Sequence, residues 1–144
     1  MSDLLTFLYI QGLFVVLAFV EITIEGPHGW ASKLHGWVVD LKVRKLTEYH
    51  FWTWLVFLPG AILLLPLVIF GWDAHLFFVL LASFLVGTVI EDFTWFLANP
   101  YFGIKKFNPA HVHWHHWLKI GKFGVPEFYI ISPLVAFLIW FFLL

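Results

Sequence analysis

The sequence predicts an all-α polytopic membrane protein with four transmembrane helices and two interfacial amphipathic helices on the cytoplasmic side. Three observations predict it. Of the 144 residues, 62% are hydrophobic and only 12% are charged, too few polar groups to cover a water-soluble domain of this size. Four apolar runs, 4–24, 49–72, 76–98 and 128–144, fall in the range of about 17–25 residues that crosses the hydrocarbon layer. Every Lys and Arg lies in one of the two long connections between those runs, which by the positive-inside rule puts both connections in the cytoplasm and both termini outside. Residues 1–144 read as a single transmembrane domain, without repeat or linker, and the expected location is a prokaryotic plasma membrane.

The first run has no basic n-region and no small-x-small cleavage site, and it outruns a signal-peptide core, so a retained helix is expected. Pro59-Gly60 and Pro66 interrupt the second run and Pro133 the fourth, as kinks whose freed carbonyls find partners on neighbouring helices. Pro27 can open a helix over 27–46, with Trp30, Leu34, Trp37, Val38 and Leu41 on one face and Lys33, Asp40 and Arg44 opposite, the pattern of a helix lying in the interface. Asn108 as N-cap, Pro109 at the first helical position and Gly121 as stop predict a second one over 109–120. Trp72 and Trp140 mark the outer interface, and the other tryptophans fall at the basic side.

Composition excludes several functions. A formal charge of −1 argues against a nucleic-acid partner bound by phosphate neutralisation. The absence of cysteine removes disulfides, thiolate metal sites and cysteine nucleophiles. None of the serines has a Gly-x-Ser-x-Gly context, and no two histidines face each other across spans as haem ligands would.

The chemistry concentrates at the cytoplasmic ends of the spans. Glu21 and Glu25, four residues apart, share a helix face with Gln11, Phe14 and Ala18. Glu91 and Asp92 lie about two turns before the stop at Asn99-Pro100, with Thr88 and Trp95 beside them. An ionisable group at membrane depth costs at least about 2.5–3.5 kcal/mol, so these acids need protons, partners or a cation. Seven of the eight histidines are on the same side: His28, His35, His50, His111, His113, His115 and His116. Imidazole with carboxylate suits iron, zinc or manganese held between the helices of a bundle.

On a helix over 109–120, His113 and His116 turn inward with Trp117, and His115 lies near Lys119. The expected metal ligands are therefore Glu25, His28, Glu91, His113 and His116, with Glu21 and Asp92 as the catalytic, proton-handling carboxylates. Glu25 and His28 have the Glu-x-x-His spacing of dimetal bundles, although Gly26-Pro27 interrupts the helix such a motif needs. Plainer readings stand beside these. Glu21 and Glu25 also fit an interfacial helix end near Lys33 or Arg44, the His-Trp run also fits a surface anchor, and His50 fits a capping role.

The strings Glu25-Gly26-Pro27-His28-Gly29-Trp30-Ala31 and Glu91-Asp92-Phe93-Thr94-Trp95-Phe96, with Asn99-Pro100-Tyr101-Phe102-Gly103, resemble a family of small uncharacterised prokaryotic four-helix membrane proteins. The resemblance implies a distinctive surface at the cytoplasmic ends of helices one and three and brings no activity with it. His111-Val112-His113-Trp114-His115-His116 is similar to one box of the histidine-box membrane di-iron oxygenases and desaturases. Their other boxes are missing, so the similarity implies at most a carboxylate-substituted variant. The expected function is metal-dependent chemistry on a lipid or other amphipathic substrate from the cytoplasmic leaflet, as hydrolysis or as oxidation. A proton- or ion-coupled transport subunit and a non-catalytic membrane scaffold are the alternatives. Membrane lipid is the expected partner, and the sequence encodes no readable oligomeric state.

Overall fold

The computed structural model describes residues 2–41, 45–121 and 123–144. Its helices follow the four apolar runs. Helix α1, Asp3–Glu25, is opened by the Ser2 hydroxyl, which accepts from the Leu5 amide, and closed at Gly26 with φ 58°. Helix α2 covers Glu48–Phe70 and α3 covers Ala74–Ala98, with the Asp73 carboxylate accepting from the Leu76 amide at the start of α3. All three are long and apolar enough to cross a membrane. Helix α4, Phe128–Phe142, is 15 residues, or about 22 Å at the α-helical rise. It starts where the expected span starts and stops two residues before the end of the expected 128–144.

The proline breaks in α2 are absorbed as widened turns. Leu58 N–H donates to Thr53 O and Leu65 N–H to Gly60 O, bonds one residue longer than the α-helical pattern. The chain thus continues through Pro59 and Pro66, neither of which has an amide hydrogen to give.

Helix α3 is the centre of the bundle, with α1 and α4 packed along it and the second half of α2, Gly60–Leu64, also against it. Where α1 crosses α3, the Phe14 ring stands where a Cβ on Gly87 would project, so glycine sets the approach of the two backbones. Ile10, Phe14, Leu58, Ile62 and Leu80 join α1, α2 and α3 in one core, and Ala82, Ala136 and Ile139 join α3 to α4. A third cluster, Ala18, Ile22, Trp95, Phe96 and Val112, ties the ends of α1 and α3 to the second connection.

Both expected interfacial helices are corrected. Over 27–46 the chain makes turns and a hairpin, in which β1 (Val38–Asp40) pairs antiparallel with β2 (Lys45–Thr47) in the register Val39 to Leu46. Gly29, Trp30 and Ala31 all have φ between 49° and 65°, a left-handed run that cannot continue a right-handed helix from Pro27. Partners hold it in place: the Glu25 carboxylate accepts from the Ala31 amide, the Trp30 indole donates to Lys45 O at 2.8 Å, and the Trp30 ring stacks on His50 at 3.9 Å. Arg44, expected on the polar face of that helix, and Lys42 lie outside the described residues.

Over 109–120 the Asn108 side chain accepts from the Ala110 amide and bonds the His111 ring, so it closes a turn where a helix N-cap is expected. Strand β3, Trp117–Ile120, then pairs antiparallel with β4, Phe123–Pro126, and Gly121 at φ 60° is the hairpin turn between them, not a helix stop.

Candidate functional site

A cavity of 290 Å³ opens between the Glu25 end of α1, the first half of α2, the last turns of α3 and the start of α4. Its wall carries Glu21, Glu25, Glu91, Asp92, His50 and His115 among the aromatic faces of Trp30, Trp54, Trp95, Phe96, Trp114 and Phe128. Local structure places each group. Glu21 and Glu25 are one turn apart on α1 and both are buried. Glu91 and Asp92 are adjacent on α3 and point to different neighbours, as a 100° helical step requires.

Glu21 Oε1 accepts from the Tyr49 hydroxyl at 3.0 Å and the Trp54 indole at 2.9 Å, so α2 delivers two donors to an acid on α1. Glu91 of α3 lines the same cavity wall as Glu21. On the other side of α3, Asp92 Oδ2 accepts from the Tyr129 hydroxyl at 2.7 Å and meets His115 Nε2 at 3.2 Å. Each acid pair thus has a tyrosine from a further helix.

Three polar atoms in this wall are buried without a partner: Glu91 Oε1, Trp95 Nε1 and His115 Nδ1. Glu91 is 3% exposed and His115 7%, and buried polar atoms without a protein partner are costly in a native structure. The frame around them is tightly tied. Asn99 at the end of α3 donates to Gly26 O at the end of α1 at 2.9 Å, and its Oδ1 accepts from the Tyr101 and Phe102 amides. Trp114 lies so close to Gly29 that a Cβ there would meet its ring at 2.8 Å, and the left-handed φ of Gly29 adds to the demand for glycine.

The expected site residues divide. Glu21, Glu25, Glu91 and Asp92 are brought together on the cavity wall. His28, His113 and His116 are on the exposed surface and do not line it. The inward turn expected for His113 and His116 is corrected, because it depended on a helix that does not form. In the turn that replaces it, Val112 and His115 are the buried residues.

His115, Tyr49, Trp54 and Tyr129 are the functional candidates missed by sequence reasoning. The two tyrosines sit at the starts of apolar runs on the acidic side, a position that was legible, but their pairing with Glu21 and Asp92 depends on helix rotation.

Carboxylate and imidazole donors on one cavity are the ligand types of iron, zinc and manganese sites, and Glu91 Oε1 and His115 Nδ1 are ligand atoms without a partner. Among the described residues no three His, Asp or Glu side chains already stand in the arrangement of a metal centre. The donor chemistry fits such an ion, and its binding would have to draw the acids inward. Comparison with family models, curated proteins and solved structures finds no match to the chain.

Proposed function

We propose that the chain is an integral membrane protein with both termini outside and both hairpin-bearing connections in the cytoplasm, and that its cavity performs metal-dependent chemistry on a lipid or other amphipathic substrate. The observation that carries this reading is the division of one cavity wall into a cluster of four carboxyl groups with a buried histidine and a surrounding aromatic, apolar surface. Four acids inside an apolar layer need compensation by protons or by a cation, and the partnerless Glu91 Oε1 and His115 Nδ1 are available to one. Both strings of the family resemblance border this cavity, through Glu25 and Trp30 and through Glu91, Asp92, Trp95 and Phe96.

Glu25, Glu91 and His115 would be the donors offered to a divalent ion, which would supply Lewis-acid polarisation of a substrate oxygen or activation of water or oxygen. The chain's own groups do the rest. Glu21, braced by Tyr49 and Trp54, and Asp92, braced by Tyr129 and His115, are placed to hold or pass a proton. The tryptophan faces exclude water and accept an apolar chain. Elemental analysis of tag-free protein purified in detergent, before and after chelation, tests the reading. Near-stoichiometric iron, zinc or manganese is the expected result; a metal-free protein that takes up none of the three on reconstitution overturns it.

A further inference from the structure

We infer that the cavity's mouth opens sideways, between α2 and α4 over Thr88 of α3, so that the site takes a single-chain amphiphile directly from the bilayer with its tail left in the cleft. The inference rests on the membrane reading above and adds the route and the tail geometry of the substrate. It starts from the helix wheel of α3. Phe84 packs into the core shared with α1 and α2, and Leu81 and Leu85 pack toward α4. A 100° step per residue puts Thr88 between those two faces, where it is half-buried.

The cavity wall agrees with that placement. Away from the acids it is completed by Leu55 of α2, Thr88 of α3 and Phe128 of α4. Leu55 is the exposed member of the wall, at 59%, and Thr88 and Phe128 are half-buried. At the opposite rim Trp30 stacks on His50 and Trp114 is seated against Gly29. In the first half of α2, Trp54 packs inward on the core shared with α1 and α3, and its neighbour Leu55 stands at the edge of the opening.

The Thr88 hydroxyl donates to Leu85 O at 2.8 Å, so it presents no unpaired donor and its methyl group faces as an apolar surface would. The chemistry along the opening is therefore graded from Leu55, Thr88 and Phe128 at the mouth to Glu91, Asp92 and His115 at the back. An amphiphile fits that gradient head first. A volume of 290 Å³ is at the low end of the roughly 300–1,000 Å³ of small-molecule pockets, which suits a head group with one chain.

Because the chain has no cysteine, a Thr88→Cys variant carries one nitroxide label at the mouth. In phosphatidylcholine bilayers its collision rate with dissolved oxygen should match that of a label at Val68→Cys, which is 80% exposed on α2, and should stand several-fold above that at Ala82→Cys, buried against α4. A water-soluble nickel chelate should not reach it. Oxygen access at the Ala82 level, or strong access by the nickel chelate, overturns the sideways mouth.

A second measurement needs no substitution: a long-chain alcohol bearing a diazirine, photolysed in the same bilayers, should cross-link at Leu55, Thr88 or Phe128. Cross-links confined to Trp30, Leu46 and Trp114 would place the entrance at the other rim and overturn the inference. A metal-free protein with the expected oxygen signal supports the mouth while removing the metal chemistry proposed above.

Discussion

At one end of the α1–α3 pair, Phe14 fills the space above Gly87 and Gln11 donates to Ser83 O at 3.0 Å, with Ile10, Leu58, Ile62 and Leu80 closing around them. About 10–15 Å further along the same two helices, Glu21 and Glu91 line a cavity. The first region uses Gln11 and Ser83 to bond helix backbones and leaves one buried polar atom, Gln11 Oε1, without a partner. The second gathers four acids that have no lipid-facing use and leaves ligand-type atoms without partners. The acidic end departs further from the rules of stable packing than its neighbour does, and it is there that the proposed function lies.

Substitutions can break or sharpen that contrast. The largest effect is expected from Phe14→Ala in the packed region. Lipid tails are as apolar as a leucine side chain, which shrinks the transfer part of the loss, but the cavity left beside Gly87 remains. About 3 kcal/mol is expected, the lower end of the range for Phe→Ala, read as a lowered unfolding midpoint in detergent. A loss no larger than that from a surface substitution would erase the distinction between the two ends.

Asn99→Ala should cost less, about 1–3 kcal/mol for a buried carbonyl left unpaired, since Gly26 O then loses its donor. It should also loosen the Gly26–Ala31 turn, read as faster amide exchange at Ala31. Protection at Ala31 unchanged in Asn99→Ala would show that the turn does not depend on this tie. Asp3→Asn removes the ion pair with His75 at 3.0 Å, which joins the starts of α1 and α3 at the opposite end. Both side chains are about half exposed, so a change under about 1 kcal/mol is expected, and a larger one would mean that this end is held by charge and not by packing.

What the sequence makes legible follows from which signals are local. Helix positions are set by runs of apolar residues, and Glu21, Glu25, Glu91 and Asp92 stand out because an acid inside or at the end of such a run needs a proton, a partner or a cation. The connections are different. Nothing in the identity of Trp30 and Ala31 announces positive φ values, which arise from the contacts with Glu25, Lys45 and His50 around them. Once that run and the Asn108 turn replace the expected helices, the helical phase assigned to His113, His115 and His116 no longer holds. The buried histidine becomes His115, held to Asp92. Asn99 is readable as the stop of a span, and its bond to the end of α1 is visible only in three dimensions.

Glu91→Gln carries the comparison to its most direct test. Replacing a buried acid that shares its cavity wall with other acids is expected to leave the fold as stable as before or slightly more so, the usual exchange of stability against function at a binding site. A ligand that binds only the native state raises the unfolding midpoint in proportion to its occupancy. The decisive measurement is therefore the unfolding midpoint of the parent protein and of Glu91→Gln in detergent, each with and without added manganese, iron or zinc. We expect the metal to raise the midpoint of the parent alone, with the two metal-free midpoints close together. A metal-dependent rise retained in Glu91→Gln, or a metal-free variant destabilised as much as Phe14→Ala, would contradict the assignment of the acidic cavity as the functional site.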